Sequence, residues 1–280
     1  MKISSARSFD RPQRLRDLLR AYRALIGAAW STALAYRVQL VISMLSFVFP
    51  LVMLAVWLTV EDQTGPIGGF DRTAFISYYI AAAAAYRLTN VSAVYRWDRE
   101  IRTGDLSIRL LKPLDPFHHF LSQSLGLKLF DSMILVPLIG TLSLVAPFVT
   151  YPLSWGRACA WLASIVVAIL LNTLIGTAFG MLSFWTTQSR NFALIWSGIG
   201  QLLSGFVVPL ALYPPGVRAF AQVLPFQSMV SLPAEILMGR IGWREVGLRF
   251  LVGIAWMLVA LVIYRLLWRR GLRRYEAVGA

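Results

Sequence analysis

The sequence predicts an all-α integral membrane protein. It comprises six transmembrane helices, an N-terminal amphipathic interfacial helix and an outer re-entrant helical segment before the last span. Three observations carry this. Apolar residues make up 58% of the 280-residue chain, with a mean hydropathy of +0.64. Charged residues make up only 14%, against about 25% in soluble domains. The apolar residues gather into runs with room for six spans of about 20 residues, the length that crosses a bilayer core.

Residues 1–37 are read as a cytoplasmic N-terminus with an interfacial helix. Leu15, Leu18, Leu19, Tyr22, Leu25, Ile26, Ala29 and Trp30 recur at helical spacing. Arg14, Asp17, Arg20 and Arg23 fall between them. A basic helix with Leu, Tyr and Trp on one side suits the headgroup plane; a soluble amphipathic helix is the alternative. A cleavable signal peptide has only a brief basic region before its apolar core. The first span is therefore expected to direct insertion itself.

The transmembrane domain is read as residues 38–268. Span one is 38–60, with Pro50 as an expected kink, and 61–69 reads as a turn-rich loop. Span two is 74–95 and contains the small-residue run 81–85, which permits close helix approach. A polar loop, 96–118, leads to span three at 125–149. Span four, 160–185, carries Gly176 and Gly180 at the spacing that allows tight helix packing. Span five is 192–213, span six is 248–267, and 269–280 form a basic tail. Between the last two spans, the apolar stretches 217–224 and 226–240 are too short to cross. Pro214, Pro215, Pro225 and Pro233 punctuate this segment, 214–243, and Gly239 and Gly242 are suited to ending a helix. It is read as dipping back into the membrane, with a surface loop as the alternative.

The net charge of +14 does not point to nucleic acid, because of where it lies. Lys2, Arg7, Arg11, Arg14, Arg16, Arg20, Arg23 and Arg37 precede span one. Arg96, Arg99, Arg102, Arg109 and Lys112 share one loop, and Arg269, Arg270, Arg273 and Arg274 form the tail. The opposite side carries only Arg72, Arg157, Arg218, Arg240 and Arg244. The positive-inside rule then places both termini in the cytoplasm. The expected location is the cytoplasmic (inner) membrane, with anionic lipid headgroups rather than nucleic acid meeting the basic clusters.

Enzymatic motifs are absent from the sequence. There is no G-x-x-x-x-G-K-[ST], H-E-x-x-H or G-x-S-x-G, so no catalytic residue and no metal site is expected. His118 and His119 are adjacent, point to different helix faces and make a poor metal pair. Cys159 is the single cysteine; it excludes an internal disulfide and is expected as a small apolar core residue.

Polar residues inside spans are functional candidates. Arg87 and Asn90 fall in span two, Lys128 and Asp131 in span three, Asn172 in span four and Gln201 in span five. Each is suited to substrate contact or to interhelical hydrogen bonding. Lys128 and Asp131 are three apart, the spacing of a same-face ion pair. An ion- or proton-coupled secondary transporter acting without an ATPase is the alternative function. It is weakened because Asp131, the acidic residue well within a span, has Lys128 beside it.

The polar loop has its own grammar. Gly104 can take the left-handed conformation that stops a helix. Asp105 is expected to cap a short helix whose Leu106, Ile108, Leu110 and Leu111 supply apolar contacts, and Pro113 ends it. Asp115 and Pro116 give an N-cap and first-turn proline to the next helix. The reading is a rigid short helix with apolar and basic faces turned to the cytoplasm, or else a well-made turn.

Glu100-Ile101-Arg102-Thr103-Gly104-Asp105-Leu106, then Leu110-Leu111-Lys112-Pro113 and Asp115-Pro116, resemble the signature loop of the ABC-2 family of exporter permeases. The match is to the branch with an I-R-T-G-x-L…L-L-K-P loop. Leu224-Pro225-Phe226 and the run from Ser231 to Gly239 resemble that branch's segment before the last span. The resemblance implies a type V exporter-like fold and a permease that moves an unidentified substrate with ATP hydrolysed by a separate P-loop ATPase. That ATPase, not this chain, would hold ATP and magnesium. A second permease, identical or related, would complete the membrane half. Carried to this sequence, the coupling residues would be Arg102, Gly104, Asp105, Leu106, Leu110, Leu111, Lys112 and Pro113. Pro214, Pro215, Pro225, Pro233, Glu235 and Gly239 would form an outer gate.

Overall fold

The structure is a computed structural model that describes residues 27, 47–91, 93–112, 115–146, 148–149, 151–152 and 154–275. The expected interfacial helix (save Gly27), the start of span one, Pro113 and the end of the basic tail lie outside the described residues. Among the described residues, three helices are long and apolar enough to cross a membrane: Pro116–Val145, Trp155–Phe184 and Trp243–Leu272.

Helix α1 (Val48–Thr64) holds Pro50 in its first turn, where the missing N–H removes no helical bond. It runs beyond the expected end at 60 and stops at Gly65, whose φ is 78°. Helix α2 (Arg72–Thr89) starts where the Asp71 carboxylate accepts a 2.8 Å bond from Ala74 N. It packs against α1 and the later helices with Ala81 to Ala85 all buried. Its tyrosines pair an apolar ring with a polar tip. Tyr78 Oη donates to Gly205 O (2.6 Å) and Tyr79 Oη to Val207 O (2.7 Å).

The expected span 74–95 is not one helix. α2 ends at Thr89, Asn90 is extended (φ −69°, ψ 119°), and α3 (Ala93–Thr103) begins after it. Carbonyls freed by such a break must find donors, and two distant side chains supply them. Lys128 Nζ donates to Arg87 O at 2.7 Å and Asn172 Nδ2 to Thr89 O at 2.9 Å. The glycine pair of span four seats α3. A Cβ on Gly180 would stand 2.5 Å from Trp97 Cβ, and one on Gly176 3.1 Å from Ala93 Cβ. Trp97 is buried there, and its Nε1 donates to Thr177 Oγ1 (3.1 Å).

Helix α4 (Asp105–Leu110) leads to α5 (Pro116–Val145), which continues through Pro137. Helix α6 (Trp155–Met181) tightens into a 3₁₀ turn at Leu182–Phe184. Its buried face holds Trp161, Ile165 and Ala168, and Cys159 lies exposed on another side, not in the core as expected. Helix α7 (Ser189–Leu203) is about 22 Å long at 1.5 Å per residue, so the expected span 192–213 is also cut short. Its chain turns at Gly205, whose φ is 89°. A Cβ there would meet Tyr78 Oη at 2.5 Å, and Ser231 N donates to Ser204 O (3.0 Å).

Helix α8 (Pro215–Val223), a 3₁₀ turn at Pro225–Met229 and α9 (Ser231–Met238) precede α10 (Trp243–Leu272). Pro233 lies inside α9 rather than interrupting it, and residues 231–237 are all buried. Two apolar clusters result. One surrounds α2 and α9; the other gathers Trp97, Leu106, Phe120 and Tyr264 from α3, α4, α5 and α10.

Candidate functional site

The break between α2 and α3 collects most of the polar residues expected inside spans. Asp131 on α5 accepts from Arg87 Nη2 at 2.7 Å and from Lys128 Nζ at 3.3 Å. Two cations thus bracket one buried carboxylate, and Lys128 also donates to the Arg87 carbonyl. Asn172 reaches the same break from α6, and Asn90 forms it. Gln201 stands apart, on α7, across a cavity of about 290 Å³. Tyr86, Asn90, Asn172, Trp196 and Phe226 line that cavity with it, and no charged residue does among the described residues.

At the end of the bundle that carries α4, a second polar hub lies on α3. Asp98 is buried and accepts from Arg102 Nε (2.7 Å), Arg190 Nε (2.6 Å), Ser183 Oγ and Ser189 Oγ (both 2.8 Å). Burial by itself raises the carboxyl pKa. The four donors outweigh burial and hold it at about 2. Glu100, also buried, pairs with Arg109 of α4, whose guanidinium lies 5.2 Å from the Phe120 ring centroid. Arg96 donates to Gln123 Oε1 (3.0 Å) and Ser124 Oγ (2.7 Å) of α5. Leu106 is wholly buried. Helix α4 is thereby fixed to α3 and α5.

Its other side is open. Leu111 is 88% exposed, and Ile108 and Leu110 are exposed beside it. Arg99, Arg109 and Lys112 line an adjoining concavity of about 270 Å³. Gly104 takes φ 82° as its residue type suggested, and it occupies the N-cap position expected for Asp105. Asp105 is the first helical residue, its Oδ2 accepting from Thr103 Oγ1 (2.7 Å). A carboxylate in the first turn still favours the helix dipole. Arg102 turns inward to Asp98, and Pro113 lies outside the described residues.

The outer residues do not form one cluster. Pro214 and Pro215 start α8 and are exposed, whereas Pro225, Pro233 and Glu235 are buried. Glu235 Oε2 accepts from Arg249 Nη1 of α10 at 3.0 Å, and Arg249 also pairs with Glu245. Gly239 ends α9 in the left-handed region (φ 69°). A Cβ there would stand 2.6 Å from Pro152 Cγ.

Asp98, Glu100, Ser183, Ser189, Arg190 and Arg249 are functional-site neighbours that sequence reasoning missed. One signal was available for Asp98. Val94, Trp97, Asp98 and Ile101 follow the spacing of a single helix face, which sets that carboxylate among apolar residues.

The model of the ABC-2 family transporter protein matches residues 47–279. No curated protein matches the chain. Since the match spans most of the sequence, the chain belongs to the ABC-2 transporter family and is a transmembrane permease.

Proposed function

We propose that this chain is the membrane-spanning subunit of an ATP-binding cassette exporter. In this reading it has six spans, both termini in the cytoplasm of the inner membrane and the division 1–37, 38–268 and 269–280. A separate P-loop ATPase holds ATP and magnesium and docks on α4. A second permease, identical or related, completes the membrane half.

One observation carries the proposal. The end of helix α4 exposes Ile108 and Leu110 with the adjoining Leu111, next to basic groups, while the pairing of its Arg109 with the buried Glu100 anchors it to α3. An apolar patch with a charged rim marks a protein contact site. That anchor lets a push on the patch reach the spans. The carrier reading has less support, because Asp131 is paired twice and offers no lone carboxylate for a transported proton.

The test is purification of the tagged chain from its native host in mild detergent, with an ATPase assay and identification of co-purifying subunits. The expected result is a stoichiometric P-loop ATPase that is lost in Leu110→Asp/Leu111→Asp while the chain stays monodisperse. A chain that purifies alone, without ATPase activity, and transports on an ion gradient would overturn the proposal.

A further inference from the structure

Two recesses in the bundle share a wall. The first is the uncharged cavity beside the α2–α3 break, about 290 Å³. The second is a groove of about 220 Å³ between α6, α7 and α10, lined by apolar residues including Ala178, Leu182, Trp256 and Ile263. Ile175, Phe179 and Trp196 line both. The ring centroids of Phe179 and Trp196 stand 5.7 Å apart in that shared wall.

The recesses differ in chemistry. Asn90, Asn172, Ser197 and Gln201 present amides and a hydroxyl to the cavity. Among the described residues the groove has no such group, and the Trp256 indole N–H already donates to Val223 O (2.7 Å). Among the described residues, no Asp, Glu, Lys or Arg lines either space. The nearby cations Arg87 and Lys128 are engaged by Asp131 on α5.

We propose that the joined recesses bind a single-chain amphiphile with an uncharged, hydroxylated head. The head sits in the cavity against Asn90, Asn172 and Gln201. The hydrocarbon chain passes Phe179 and Trp196 into the groove. A formal charge on the ligand is disfavoured because an ion buried without a counter-charge is costly, whereas hydroxyls find amide partners. Each recess alone is below the usual range for a ligand pocket, about 300–1,000 Å³, and together they lie within it. That space suits a head and one chain rather than two. As a statement of cargo class this rests on the exporter reading; as a statement of binding it is measurable without ATP.

The experiment uses the purified full chain in phosphatidylcholine nanodiscs and a monoacylglycerol whose chain bears a diazirine. After irradiation, adducts are mapped by peptide mass spectrometry. Labelling is expected on α6 and α7 peptides around Phe179 and Trp196, and unlabelled monoacylglycerol is expected to compete it away. Ala178→Phe, which fills the groove, and Ser197→Trp, which fills the cavity, are each expected to reduce it about tenfold, the effect of about 1.4 kcal/mol. Gln201→Leu is expected to weaken the hydroxylated probe but not a diazirine alkane of the same length. Label spread over the outward faces of α1 and α10, and indifferent to these variants, would overturn the proposal. So would stronger competition by a two-chain or anionic phospholipid. Variants are compared only as monodisperse samples, and competition on the wild-type chain remains decisive if one fails to fold. ATP-driven flux without site-specific label defeats this inference and leaves the exporter reading intact. Site-specific label without an ATPase partner does the reverse.

Discussion

Asp98 on α3 accepts a 2.6 Å hydrogen bond from Nε of Arg190, 92 positions along the chain at the start of α7. Ser183 and Ser189 add donors from the same turn, and Arg102 adds one from α3 itself. A single carboxylate therefore fastens the helix that leads into α4 to the helix that lines the cavity. Asp98→Asn keeps the shape and removes the charge. The expected outcome is an assembled complex in which ATP hydrolysis persists and transport is lost. Undiminished flux per ATP would count against it.

The same residue makes a pH prediction. Its carboxyl is held at about 2, below the ordinary value of about 3.9. A depressed carboxyl stabilises the fold fully above the ordinary value and loses that contribution as pH falls through the depressed one. The melting-temperature gap between wild type and Asp98→Asn should thus stay constant from about pH 5 to 8 and close toward about pH 2. A gap that changes near neutrality would assign it to another group.

Gly104 stands at φ 82° between α3 and α4. An L-residue held in the left-handed region costs about 1–2 kcal/mol, and a β-branched one is strained further. Gly104→Val should re-aim α4, abolishing ATPase association while leaving insertion and abundance unchanged. Wild-type ATP-driven flux in that variant would remove α4 geometry from the mechanism.

Glu235 and Arg249 form a buried pair between α9 and α10. Breaking one side of such a pair costs about 3–5 kcal/mol because the remaining charge is stranded. Arg249→Met should lower thermal stability sharply, since it strands Glu235 and releases Glu245. Glu235→Gln/Arg249→Met should recover much of the loss. Equal melting temperatures for the single and double variants would show that the pair is not coupled.

Asp131 separates the exporter from the carrier. Replacing it with Asn leaves Arg87 and Lys128 facing each other across a neutral group, so reduced stability is expected. Lys128→Met in the same chain should restore part of it by removing one of the two cations. Loss of flux with unchanged stability and unchanged ATPase activity would instead favour ion coupling.

Much of the local geometry was legible in the sequence. The i, i+3 pair Lys128–Asp131 forms, Gly104 adopts the left-handed turn, and Asp115 caps α5 with Pro116 behind it. The break at Asn90 was not legible. Residues 74–95 read as one apolar run, and what holds the break open comes from Lys128 and Asn172, 41 and 83 positions from the carbonyls they satisfy. The end of α7 has a similar cause, for Gly205 is pressed by Tyr78 and Ser231 from other helices. Asp98 was hidden for a different reason. Surrounded in sequence by Arg96, Arg99 and Arg102, it read as one more loop charge, although its helix faces the core.

The broken second helix changes where a mechanical load travels. A continuous rod would carry a thrust on α4 straight along its axis into α2. The extended joint at Asn90 would buckle instead, like a universal joint in a drive shaft. The stiff route runs sideways, through Trp97 wedged on Gly180 and through Asp98 bolted to Arg190. Under the exporter reading, torque applied at α4 would reach first α6 and α7, the two walls shared by the cavity and the groove, and α2 only across the break.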